Sequence, residues 1–149
     1  WYYDAQEVAE DVAEILGTTL EVGASVVSAF SPRERWSTNV QKAYAFANKK
    51  PVTGLSNNLA MANKALELGF DALKGQKTNA FARAISGDSD AVVIDVWMIK
   101  AAGMDPSKGV NKSEYNMLAD AVRNIASKHG LTPRTTQALI WIVKRGSAS

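Results

Sequence analysis

The chain has 149 residues, 46% of them hydrophobic, and a net charge of only +2. That is enough apolar material for one domain with a real core, so a single domain over residues 1–149 is expected. With no cysteine it can form neither a disulfide nor a cysteine-ligated metal or iron–sulfur centre, and its one histidine, His129, argues against a histidine metal site.

Nearly every segment reads as helix. From Asp4 to Leu16, Val8, Val12, Ile15 and Leu16 fall on one stripe. Thr18 or Thr19 can cap a second helix that runs to about Phe30. Ser31-Pro32-Arg33-Glu34 then reads as a capping box: serine at the cap, proline in the first turn, glutamate three positions on. It opens a third helix reaching about Asn48, and Lys49 to Gly54 is a loop.

Ser56 opens a fourth helix that stops at Gly69. Phe70 to Leu73 is a short helical turn, Lys74-Gly75-Gln76 a hairpin, and Lys77 to Ser86 a further helix. Gly87-Asp88-Ser89-Asp90 breaks the chain. Ala91 to Ile94 is short and extended, and Asp95 caps Val96 to Ala102. Asn111-Lys112-Ser113-Glu114 starts a long helix striped by Tyr115, Leu118, Val122 and Ile125 and ended by Gly130. Thr132-Pro133 starts the last helix, whose run Ala138 to Val143 is apolar all round and is expected to be buried, Trp141 with it. His129 stands where it can favour the end of a helix dipole. The fold class is all-α, a helical bundle.

No apolar run has the length of a membrane span and no signal-peptide pattern is visible, so a cytoplasmic protein without a membrane partner is expected. The chain opens on Trp1 rather than Met, which leaves room for residues upstream.

Two residues carry the chemistry. Lys77 and Asp95 stand eighteen positions apart, each at the start of a helix. The positive end of a helix dipole works against an ammonium charge and favours the amine, which is a nucleophile; it keeps a carboxylate ionised. The simpler readings are a loop lysine facing water or a phosphate, and an ordinary N-cap aspartate. A cap role is compatible with catalysis, since it fixes the carboxylate. The Gly-x-Lys-Thr sequence is not a phosphate-binding Walker loop, because the first glycine and the four residues after it are absent.

Lys74-Gly75-Gln76-Lys77-Thr78, followed by Val93-Ile94-Asp95-Val96-Trp97, resembles the helix-hairpin-helix DNA glycosylase superfamily, in particular its endonuclease III branch. That branch reads L-P-G-x-G-x-K-T-A and then V-D-T-H-V-x-R, with the same lysine–aspartate spacing. Residues 30–43, Phe30 through Ala43, resemble its L-S-A-Q-x-x-D-x-x-V-N-x-A helix start. The resemblance spans about residues 20–105. It implies a glycosylase-like helical domain and a DNA N-glycosylase, with or without lyase activity, acting on a modified or damaged pyrimidine in duplex DNA, as a monomer and without a cofactor.

By resemblance, Lys77 attacks the sugar C1′ and Asp95 assists the attack and stabilises oxocarbenium-like charge. Lys74, Gly75, Gln76 and Thr78 are implied in DNA binding. Arg33 falls at the gap-filling position, or is a solvated first-turn arginine. Trp36 and Trp97 either line a base pocket or belong to the core. Arg35, Lys42, Arg83 and Lys100 also lie in segments that the family places near DNA.

Three departures stand out: a hairpin two residues shorter with one glycine lost, a small chain, and Trp97 in place of the usual histidine. They are similar to glycosylase-fold relatives of phages with hypermodified DNA. The alternative function is therefore a transferase that attaches an amino acid or polyamine to phosphorylated 5-hydroxymethyluracil, in a bacterial or phage-infected cytoplasm. A non-catalytic DNA-binding module is the third reading.

Overall fold

The computed structural model describes residues 2–145. The helices are α1 (Tyr2–Leu16), α2 (Leu20–Ala29), α3 (Trp36–Ala47), α4 (Ser56–Leu68), α5 (Gln76–Ile85), α6 (Val96–Ala101), α7 (Lys112–Lys128) and α8 (Pro133–Arg145). Short 3₁₀ turns at Gly69–Ala72 and Pro106–Lys108 interrupt the connections. Among the described residues no strand forms, and the chain is all-α. It divides into two compact units, Trp1–Gly87 and Asp88–Ser149, at the Gly87–Asp90 break.

The first unit is built around α2, in which every residue from Gly23 to Ala29 is buried. Thr19 caps it, its hydroxyl accepting from the Val22 N–H at 3.3 Å. The chain turns through 111° between α1 and α2, and Ala5, Ala9, Val12 and Ala13 of α1 are all buried. The approach is close enough that a methyl group on Gly23 would lie 2.7 Å from Ala13 Cβ and 2.9 Å from Ala13 N. Glycine is required there for space. Polar side chains inside the unit serve backbone groups: Ser25 donates to Glu21 O at 2.7 Å, Asn39 to Val27 O at 2.8 Å, and Ser28 to Thr78 O at 2.6 Å. Phe30 packs edge-on against Phe46, with ring centroids 5.6 Å apart.

The capping box expected at Ser31–Glu34 does not form. The Ser31 hydroxyl donates to Ser28 O at 2.6 Å, closing the end of α2, and the Glu34 carboxylate pairs with Lys42. Both side chains have found partners outside the local turn, and α3 begins only at Trp36, with no side-chain cap on Arg35. Arg33 therefore lies in a turn with φ 60°, not in the first turn of a helix.

The second unit folds around the extended segment Ala91–Ile94, all of it buried. A buried extended segment with no sheet partner must satisfy its peptide groups through side chains. Gln137 does so at both ends of one residue: its Oε1 accepts from Val93 N at 2.8 Å and its Nε2 donates to Val93 O. The Tyr115 hydroxyl donates to Val92 O at 2.9 Å and accepts from Ile94 N at 3.3 Å. Val92, Ile94, Met98, Ile99, Tyr115, Leu118, Ala119 and Val122 form the core around it. The capping box predicted for α7 is present, with Asn111 and Glu114 exchanging bonds at 2.8 and 3.1 Å. His129 is the C-cap of α7, and Gly130 turns the chain with φ 66°.

Two burial expectations are corrected here. The buried stripe of α7 is Tyr115, Leu118, Ala119, Val122 and Ala126, while Ile125 is 44% exposed. Alanine takes the inward position one residue on, because the stripe follows the 3.6-residue period rather than residue size. The Ala138–Val143 run is not buried all round: Leu139, Ile142 and Val143 are exposed and Trp141 is half-buried. In α8 the buried face carries Thr136 and Gln137 instead, Gln137 because the Val93 peptide needs its amide.

Candidate nucleic-acid interface

The first turn of α5 holds most of the residues singled out from the sequence. Gly75 is its N-cap and offers no side chain to the first-turn N–H groups. Gln76 and Thr78 are half-buried, and Lys74 and Lys77 are exposed on either side of the cap. Thr78 is committed internally: its hydroxyl donates to Gly75 O at 3.1 Å and its carbonyl accepts from Ser28. Lys77 is the second residue of the helix, which begins at Gln76, one residue before the start expected from the sequence.

The hairpin before α5 is pinned by a residue the sequence reading passed over. The Asn79 side-chain amide donates backwards to Phe70 O at 3.0 Å and Leu73 O at 3.2 Å. Arg83, one turn further along, donates to Asn79 Oδ1 at 2.8 Å and lies over the Phe70 ring at 4.5 Å. The signal was available: asparagine is a poor interior helix residue, and near a helix start it often serves neighbouring backbone.

Ser28 joins the end of α2 to Thr78, and Ser31 returns to Ser28, so the turn carrying Arg33 is tied to the same end of the unit. Trp36, at the first position of α3, is half-buried and stacks edge-on with Phe81 of α5 at 6.1 Å. Arg33, Arg35, Lys74 and Lys77 are all exposed, and among the described residues none of them forms an ion pair.

A net charge of +2 conceals a strong segregation. Residues 1–30 hold Asp4, Glu7, Glu10, Asp11, Glu14 and Glu21 and not one lysine or arginine. Residues 31–87 hold Arg33, Arg35, Lys42, Lys49, Lys50, Lys64, Lys74, Lys77 and Arg83 against Glu34, Glu67 and Asp71. The cations belong to α3–α5 and their loops, and the acids to α1 and the start of α2. A whole-chain charge cannot report such a division.

In the second unit Asp95 is half-buried and caps α6, its Oδ1 accepting from Met98 N at 3.0 Å. The second carboxylate oxygen is left out of that bond. The backbone immediately before it is held through Ile94 N by Tyr115, whose hydroxyl burial pushes above the ordinary tyrosine range. Trp97 is half-buried, with the Lys100 ammonium 4.7 Å from its ring centroid. Lys77 thus belongs to the first unit, and Asp95 and Trp97 to the second.

Among the described residues no group of three or more His, Asp or Glu side chains could hold a metal ion, and no single helix is long and apolar enough to cross a membrane. The chain belongs to the family of unknown function DUF7178, which matches residues 1–148. No curated protein and no solved structure matches it.

Proposed function

We propose that this member of the DUF7178 family is a DNA base-processing enzyme that holds the phosphate backbone at the start of α5 and uses Lys77 as its amine. The observation that carries the reading is the α5 terminus. Its cap has no side chain, its exposed flanks are Lys74 and Lys77, and Asn79 fixes the hairpin that leads into it. First-turn N–H groups and the helix dipole favour an anion, and lysine adds point charge without geometric demand. Support also comes from the cations of α3–α5, which match a polyanion far better than the net charge does.

The chemistry rests on the glycosylase resemblance. In it the Lys77 amine attacks C1′ of the sugar and the glycosidic bond breaks with its electron pair leaving on the base, which takes up the proton lost by the nitrogen; the C1′–O4′ bond then opens, O4′ becomes a hydroxyl on taking a proton from water, and a protonated imine remains between lysine and sugar.

Borohydride trapping tests both parts on duplexes carrying a panel of damaged and modified pyrimidines. The expected result is a covalent protein–DNA adduct that Lys77→Ala abolishes. Binding should fall steeply with salt, as expected when several phosphates are neutralised. A mass gain on the base with no trapped adduct, seen when an amine donor and an activated base are supplied, would replace the glycosylase by the transferase. Absence of any DNA binding at low salt removes the nucleic-acid reading.

A further inference from the structure

The first unit contains a cavity of about 120 Å³ beneath the Lys49–Leu55 loop. Phe30, Val52, Leu55 and Leu59 form its apolar walls, and Lys42 and Asn58 its polar lining. Phe30 is 1% exposed, so that wall belongs to the core. Lys42 pairs with Glu34, and the lysine ammonium packs against Gly54, whose φ of 114° and missing side chain leave room for it. A side chain on Gly54 would collide with Lys42 Nζ.

The same two polar residues clamp the turn that carries Arg33. Asn58 Nδ2 donates to Pro32 O at 3.0 Å, and Lys42 holds Glu34. Arg33 stands between these anchors, exposed and in the left-handed region that a non-glycine residue rarely occupies. Cavity and turn are therefore one construction. The residues that line the void are those that hold the strained arginine in place.

We propose that this cavity binds a single pyrimidine ring that carries an acceptor beside an N–H donor, as uracil does. An apolar void of about 150 Å³ takes a benzene ring, so this one is of the size for one six-membered ring and no more. Aliphatic and aromatic walls suit the ring faces. The Lys42 ammonium has three N–H groups, of which Glu34 takes one, leaving donors for a ring carbonyl. Asn58 keeps a carbonyl acceptor beyond its bond to Pro32, which suits a ring N–H. Uracil presents carbonyl acceptors beside an N–H donor. The parent heterocycle pyrimidine has ring-nitrogen acceptors and no N–H donor, so it can answer Lys42 and not Asn58.

The proposal rests on the DNA reading only for how a ring would arrive, in which an extruded base enters beside Arg33. The site itself is tested without DNA. Free uracil titrated into the full chain and followed by amide NMR should shift Val52, Gly54, Leu55 and Asn58 and saturate with a Kd on the order of millimolar, as a ligand of so few atoms allows. Pyrimidine should bind at least about tenfold more weakly, since it leaves the Asn58 carbonyl without a donor. Lys42→Met should weaken uracil about tenfold and leave benzene unchanged. Because that change also strands Glu34, Val52→Trp is the companion variant: it fills the void from a half-exposed loop position, and should abolish both ligands while the helical circular dichroism is retained. No shift with either uracil or benzene would overturn the proposal. So would equal binding of uracil, pyrimidine and benzene that ignores Lys42→Met, which would make the cavity an apolar void only. Failure of DNA binding with uracil binding intact would remove the DNA reading and keep the site.

Discussion

The two units solve the problem of a small core in opposite ways. The first brings helix backbones together over alanine and glycine, with Ala9 and Ala13 of α1 against Gly23 of α2. The second places a bare extended segment inside larger side chains and replaces the missing neighbour strand with Gln137 and Tyr115. A close helix pair has satisfied its peptide groups within each helix, so what it cannot tolerate is added volume. A lone buried segment has space around it but owes every peptide group a partner, so what it cannot tolerate is a lost hydrogen bond.

That contrast predicts opposite mutational sensitivities. The largest effect should come from Gln137→Leu, which leaves both the N–H and the carbonyl of Val93 unpaired in the core. A loss of about 3–4 kcal/mol is expected from two unsatisfied buried groups. It should appear as accelerated amide exchange over residues 91–94, with α1 and α2 protected as before. Normal protection of 91–94 would mean that Gln137 is not the partner described.

Gly23→Ala should come next, at about 2–3 kcal/mol from overpacking against Ala9 and Ala13. Urea unfolding read at the α1–α2 amides measures it. A neutral substitution would show that the helices can part without cost, and would erase the difference between the units. Tyr115→Phe should cost about 1–2 kcal/mol, less than Gln137→Leu, because it keeps the ring and removes only the hydroxyl that bridges Val92 O and Ile94 N.

Alkaline pH sharpens the comparison further. Burial raises the Tyr115 hydroxyl above its ordinary range, while Tyr44 is pushed up to about 12 by burial, by its bond to Asp11 and by the charges of Asp11 and Glu7. In each case the folded state holds the proton more tightly than the unfolded chain, where tyrosine titrates near about 10. Their contributions are complete below that value and are lost as pH climbs through the raised folded values. Stability measured from pH 9 to 12 should therefore fall, with the second unit's share of the fall absent in Tyr115→Phe. The smallest effect should be Lys77→Ala, within about 0.5 kcal/mol, since the side chain is exposed and forms no ion pair. A large loss of stability there would make Lys77 structural and weaken its proposed role on DNA.

Local signals in the sequence determined the helices and most of their ends. Thr19, Asp95 and the Asn111–Glu114 box are caps whose donors and acceptors lie within three residues, and Gly69 and Gly130 stop helices because glycine adopts positive φ readily. Lys77 at the start of α5 and Asp95 as a cap were legible for the same reason. The tertiary structure decided wherever a side chain had a better partner far away in the chain. Ser31 and Glu34 had the spacing of a capping box, yet Ser28 O and Lys42 took them, so α3 begins late and Arg33 sits in a turn. The α8 run Ala138–Val143 looked buried by composition, yet Gln137 faces inward because a peptide group forty-four residues away needs it. Asn58 and Gln137 are ordinary polar residues in a helical pattern, and their work became visible only when the carbonyls of Pro32 and Val93 were placed beside them. Spacing along a chain encodes bonds that close within a turn of helix. It carries no information about which distant peptide group will be left without a partner when the helices pack.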